Sequence, residues 1–165
     1  MLLRSNVAYL GVLLSLNQLF IILSSLIKTN TVIFMSAAAL VVGVIIVEFR
    51  GKVGIAFYLA SVFLGLILTF DKVEIITYIC FFGLYSIVKH YIEINIFNKY
   101  ISYGVKLFFF NISLLSIYLI VRLFVPLNLF WWMILGAQIL FFLYDYAFTI
   151  FINYYIETIR PKLKR

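Results

Sequence analysis

A chain of 165 residues that is 66% hydrophobic, 19% aromatic and only 12% charged carries more apolar side chains than a soluble core of that size can hide. The composition therefore excludes a water-soluble domain and points to a membrane protein. The net charge of +7 invites a nucleic-acid reading, but a phosphate-binding surface needs cations clustered in water, and here Lys and Arg stand singly between apolar runs. With a single cysteine, Cys80, neither a disulfide framework nor a Cys-based metal site can be built within the chain.

Six continuous apolar runs follow one another, at about 7–26, 31–49, 53–70, 74–91, 104–125 and 129–155. They do not alternate, which argues against membrane β-strands, and most have the roughly 20 residues that a helix needs to cross a bilayer core of about 30 Å. The first follows Arg4 and is longer than the apolar core of a signal peptide, so it reads as a retained helix. Arg50-Gly51-Lys52 separates the second run from the third, and Asp71-Lys72 separates the third from the fourth. A polar connector at 93–103 leads to the fifth run, which Pro126-Leu127-Asn128 breaks from the sixth before a basic tail. The expected architecture is all-α, a single polytopic domain over residues 1–165 with six transmembrane helices.

Orientation follows from the cations. One side holds Arg4, Arg50, Lys52, Lys89, Lys99, Lys106, Arg160, Lys162, Lys164 and Arg165; the other holds Lys28, Lys72 and Arg122. Ten against three in short loops predicts that both termini are cytoplasmic. Trp131 and Trp132 then fall at the outer interface, where amphipathic rings anchor helices.

Asp145 is the anomaly in this pattern. A carboxylate in the middle of a membrane helix costs roughly 2.5–3.5 kcal/mol even on the lower scales, so it normally faces the bundle and has a partner. Asp145 lies sixteen residues beyond Leu129 and Lys89 fifteen residues beyond Glu74, which puts both roughly 22–24 Å below the outer face at a helical rise of about 1.5 Å per residue. Asn111 lies at nearly the same height, and Tyr85 precedes Lys89 by one turn. The expectation is a Lys89 to Asp145 ion pair completed by Asn111 and Tyr85, serving either to lock the bundle or to couple it to a transport cycle; the alternative is that Lys89 snorkels to the surface beside His90 and Asp145 finds only hydroxyls or water.

Other polar residues are candidates of lower specificity. Arg122, Tyr118, Tyr78 and Trp131 fall toward the outer ends of their runs and form a candidate ligand mouth; Arg122 is equally suited to reach lipid phosphate. Gly11 with Ser15, and Ala39 with Gly43, have small-x-x-x-small spacing suited to close helix docking. Asn17 and Gln18 sit mid-run and call for hydrogen-bond partners inside the bundle. His90 stands alone, so no metal site is expected. No nucleophile elbow, zinc-protease motif or phosphate-cradling loop is present, so neither an enzyme nor a cofactor site is expected, and active transport would need a separate energising subunit.

Six helices, both ends inside, short loops and a small-residue face near the start resemble the substrate-binding S component of an energy-coupling factor transporter. The resemblance covers the whole chain in layout. Members often carry Ala-x-x-x-Ala in the first helix; here Ala8 is followed at that spacing by Val12, and Gly11 with Ser15 stands in. It implies binding of a vitamin-like small molecule in the outer half, and a transmembrane coupling subunit with ATPases as partner. The stretches Phe82-Gly83-Leu84-Tyr85-Ser86-Ile87-Val88-Lys89 and Tyr144-Asp145-Tyr146-Ala147 are also similar to six-span proteins of low-GC Gram-positive bacteria, and the usage of Ile, Phe, Tyr, Asn and Lys resembles that of AT-rich bacterial genomes. The expected location is the bacterial cytoplasmic membrane. A non-transporting membrane scaffold or assembly subunit is the alternative.

Overall fold

Apolar runs without strand alternation fold here as helices throughout. The computed structural model describes residues 2–69, 71–124 and 130–163, with side chains described from 7 to 162 within those ranges, and no strand occurs among them. The chain runs through α1 (Leu2–Leu26), a single 3₁₀ turn (Lys28–Asn30), α2 (Thr31–Leu68), α3 (Lys72–Asn95), α4 (Lys99–Arg122) and α5 (Trp131–Lys162). Each of these five contains a segment long and apolar enough to cross a membrane. The Pro126-Leu127-Asn128 break and the expected span ends at Phe70, Val125 and Leu129 lie outside the described residues, as do Lys164, Arg165 and the side chain of Arg4.

The second helix is a hairpin. Arg50 has φ 68° and ψ 171°, a backbone conformation used almost only by glycine, and it divides α2 into legs 31–49 and 51–68. A straight helix would put Ala38 and Ser61 about 34 Å apart, yet Asn17 bonds to both. Gly54 makes the return tight: a Cβ there would lie 2.3 Å from Cγ1 of Ile46 on the outgoing leg. Close approach of the two backbones is what small residues allow in helix pairs.

Neutral polar groups tie α1, both legs of α2 and α3 together. Asn17 Nδ2 donates to the Ala38 carbonyl at 2.8 Å and to Tyr78 Oη at 3.2 Å, while its Oδ1 accepts from Ser61 Oγ at 2.5 Å. Gln18 Nε2 donates to the Ser61 carbonyl at 2.9 Å. Asn17 and Tyr78 are fully buried. Without water, each of these groups needs an internal partner, so one knot of four side chains and the Ala38 carbonyl fixes the rotation of four helical legs at once.

Helix α3 widens by a π turn at Tyr78–Phe82. Tyr58 on the return leg donates to the Ile79 carbonyl at 2.8 Å within that turn, and Gly83 admits the Tyr58 ring where a Cβ would lie 2.7 Å from it. Such widened turns form where a side chain satisfies a backbone group that the regular ladder releases. Asp71 starts α3 by accepting from the amides of Val73 and Glu74.

Several boundaries differ from the sequence reading. Helix α3 begins at Lys72 and ends at Asn95, not at 74 and 91, and α4 begins at Lys99, not at 104. The expected polar connector at 93–103 shrinks to Ile96–Asn98. The reason is local: Glu93 pairs with Lys89 one turn earlier and so continues α3, and Asn98 caps α4 by accepting from the Tyr100 amide at 3.0 Å.

Candidate functional site

The buried charges gather where α3, α4 and α5 meet. On α3, Tyr85, Lys89 and Glu93 occupy one face at successive turns; on α5, Asp145 and Thr149 do the same. Lys89 Nζ pairs with Asp145 Oδ1 and donates to Thr149 Oγ1 at 2.9 Å. Tyr85 donates its hydroxyl to the same Asp145 oxygen at 2.6 Å. Lys106 from α4 lies 3.5 Å from Asp145 Oδ2 and 2.6 Å from Glu93, which also holds Lys89 at 2.8 Å. Two lysines face two carboxylates, so the cluster is neutral, and Asp145 and Lys89 are each 3% exposed. Burial of this kind is tolerable only with such complete pairing.

Of the four residues expected at this site, the structure brings Lys89, Tyr85 and Asp145 together and leaves Asn111 out. Asn111 is exposed on α4 and accepts from Gln138 Nε2 at 2.8 Å. The expected equal height does not hold, because Gln138 is two turns from Asp145 on α5. Asn111 is five residues beyond Lys106, a rotation of about 140° at 3.6 residues per turn, so the two cannot share a face. Lys106 takes the inward position instead. The signal for it was present: with Asn98 as cap, Lys106 falls two turns inside α4 rather than at its edge.

Above the cluster lies an aromatic layer. Phe110 and Phe141 stack with centroids 4.5 Å apart, Phe81 meets Phe110 at 5.1 Å, and Tyr85 meets Phe141 at 5.7 Å. On the side of this layer away from the charges is a cleft of about 170 Å³ between α3, α4 and α5. Phe81, Phe82, Phe110, Leu114, Phe141 and Tyr144 line it. Apolar cavities of about this size accept a single aromatic ring. Tyr85 does not itself line the cleft: its ring packs behind Phe81, Phe141 and Tyr144, which do, and its hydroxyl reaches the charge cluster.

The expected ligand mouth does not assemble. Tyr78 is fully buried in the Asn17 and Ser61 knot, whereas Trp131 is 74% exposed. Arg122 lies over its neighbour Tyr118 at 5.7 Å from the ring centre. Hydrogen bonding draws Tyr78 inward because its hydroxyl would otherwise be unsatisfied in an apolar bundle. The other polar residues at this end form a strap: Lys28 pairs with Asp71 and donates to Glu74 at 2.9 Å, and Ser24 donates to Glu74 at 3.2 Å. The Lys28 hydrogen bond holds the Asp71 carboxyl below the usual carboxylate range.

The four small residues divide between two environments. Ala39 is fully buried and its carbonyl accepts from Ser86 Oγ at 2.8 Å, and Gly43 meets Phe148 and Ile152 of α5, so this pair serves packing within the bundle. Gly11 and Ser15 are exposed on α1, and a Cβ at Gly11 would meet nothing within 4 Å. Among the described residues no three His, Cys, Asp or Glu side chains gather as a metal site. No protein-family model, curated protein or solved structure matches this chain.

Proposed function

We propose that this chain is a six-crossing protein of the bacterial cytoplasmic membrane with both termini cytoplasmic, acting as a non-catalytic subunit for uptake of a small molecule. Six crossings follow if each leg of the α2 hairpin counts as one, and the orientation follows from the cation distribution. The observation that supports uptake is the aromatic cleft, which lies in the half of the bundle away from the termini and whose lining residues Phe81, Phe141 and Tyr144 pack against Tyr85 of the charge cluster.

In this reading a ligand with an apolar or aromatic ring enters the cleft from the outer leaflet and packs against Phe110 and Phe141. The aromatic lining makes the ligand less polar than an anion gathered by Arg122 would be. A ligand that moves Phe141 or Tyr144 shifts Tyr85 packed behind them and with it the hydroxyl on Asp145, which alters the ties among α3, α4 and α5. A coupling subunit with ATPases supplies the energy, in keeping with the layout that resembles an S component.

The scaffold reading is favoured by a different observation, the failure of Arg122, Tyr118, Tyr78 and Trp131 to share a cavity. Affinity purification in mild detergent, with mass analysis of retained small molecules and copurifying proteins, separates the two. Recovery of coupling ATPases or an aromatic ligand is expected for uptake; envelope-synthesis proteins without a ligand would replace it by the scaffold.

A further inference from the structure

One hydroxyl beside the aromatic cleft is left over by the folded chain. Among the described residues four other tyrosines are buried, and each spends its hydroxyl inside the bundle: Tyr58 donates to the Ile79 carbonyl, Tyr78 is held by Ser61 and Asn17, Tyr85 donates to Asp145 and Tyr155 donates to Glu48. Tyr144 does not follow them. Its side chain is half-buried and lines the cleft, its hydroxyl oxygen is buried, and that oxygen has no hydrogen-bond partner among the described residues. An unpaired buried hydroxyl carries a desolvation cost that the other buried tyrosines avoid.

The rest of the lining restricts what can meet that hydroxyl. Phe81, Phe82, Phe110, Phe141 and Leu114 form much of the wall, and no charged residue lines it. Thr77, the other polar side chain there, donates to the Val73 carbonyl at 2.8 Å, so Tyr144 holds the one uncommitted side-chain proton of the lining. A carboxylate or ammonium would enter without a counter-ion, at a large desolvation cost. Water is a poor occupant as well, because it needs two to four polar partners and most of this surface offers none. Size sets the last limit. A dry apolar cavity of about 150 Å³ takes benzene. The cleft measures about 170 Å³, room for one ring with a small substituent.

We propose that the cleft takes a neutral single-ring aromatic bearing one hydrogen-bond acceptor, of the phenol class, whose ring packs on the stacked Phe110 and Phe141 and whose oxygen accepts from the Tyr144 hydroxyl. This ligand class rests on the uptake reading, whose cleft it occupies. Tyr144 is the specificity-determining residue: the apolar wall holds the ring, and the hydroxyl separates a phenol from a bare benzene ring. Tyr144 also packs against Tyr85 with ring centres 5.4 Å apart, so the residue that reads the ligand's oxygen touches the one that bonds Asp145.

Fluorine NMR of the full chain in detergent micelles tests it, with para-fluorophenol and fluorobenzene as probes and protein-free micelles as the reference for partitioning. Both probes are expected to bind saturably, para-fluorophenol about fivefold tighter, the worth of one hydrogen bond between neutral groups. Tyr144→Phe is expected to abolish that difference and leave fluorobenzene binding unchanged. It should also keep at least the wild-type melting temperature, since the hydroxyl it removes bonds nothing in the described chain. Equal binding of the two probes by the wild-type chain, a comparison that needs no variant, overturns the phenol class and leaves the cleft in place. A preference that survives in Tyr144→Phe, or a lowered melting temperature in that variant, overturns the role of Tyr144. Absence of saturable binding by either probe overturns the cleft itself, and the uptake reading with it.

Discussion

At the level of Asn17, helices α1, α2 and α3 are tied by neutral side chains, whereas α4 and α5 are tied to α3 by lysines and carboxylates. The difference in reach sets the packing. An Asn17 to Ser61 bond forms only if helices nearly touch, and small residues such as Ala38, Gly54 and Gly65 permit this. A lysine carries its charge on four methylenes, so Lys89 and Lys106 join helices that stand further apart. Space left between those helices becomes the aromatic cleft. Close packing and openness are thereby assigned to different parts of one small bundle.

Breaking the charged tie is expected to have the largest effect. Asp145→Ala leaves Lys89 and Lys106 buried with only Glu93 to share, and should cost about 3–5 kcal/mol in reversible unfolding in detergent micelles. Exchange of the partners, Lys89→Asp with Asp145→Lys, should recover part of that loss; a double variant as unstable as Asp145→Lys alone would show that this pair is not what joins α3 to α5.

The neutral knot should yield less. Asn17→Leu leaves Tyr78 bonded only to Ser61, which keeps Gln18 as a donor, and removes the bond to the Ala38 carbonyl, a loss of about 1–3 kcal/mol by the same measurement. Hydrogen exchange would sharpen the contrast, with protection falling in α1 and α2 for Asn17→Leu and in α4 and α5 for Asp145→Ala. An identical pattern for both variants would erase the distinction between the two halves.

Relief of strain at the hairpin works in the other direction. Arg50→Gly removes a non-glycine residue from a conformation that costs about 1–3 kcal/mol, and the chain should gain about 1 kcal/mol in the same unfolding assay once the added freedom of glycine is subtracted. Unchanged or lowered stability would mean that the Arg50 side chain contributes more than its backbone costs.

The smallest effect concerns the Lys28 and Asp71 strap. The folded Asp71 carboxyl titrates below its unfolded value of about 3.9. Its contribution is therefore complete above that pH and is lost as pH falls through the lower folded value. Asp71→Asn should therefore lower the melting temperature slightly near neutrality, where the contribution is complete, and converge on wild type as pH falls well below about 4, flattening the acid limb of the profile. A variant that keeps the same acid response would assign it to other carboxylates.

Legibility followed the physical origin of each feature. Equal depth along helices of fixed rise made the level of Lys89 and Asp145 readable, because rise per residue varies little. Neither depth nor rotation held for Asn111, which bonds Gln138 two turns from Asp145 and lies about 7.5 Å along α4 from Lys106, on another face. Tyr78 was read as an outer residue from its position in the run, but its side chain is governed by Asn17 and Ser61, which lie 61 and 17 residues away in sequence. Asn98 was a readable cap; its significance was hidden because the polar residues on either side looked like one connector.

Composition and uninterrupted apolar runs by themselves determined an all-helical, membrane-compatible chain, since backbone groups away from water must be satisfied within each segment. Only the tertiary structure decided the choice of Lys106 over Asn111, the withdrawal of Tyr78 into a polar knot, and the aromatic cleft beside α4. Each depends on which helix faces meet, and the small side-chain energies that select those faces come from residues far apart in sequence.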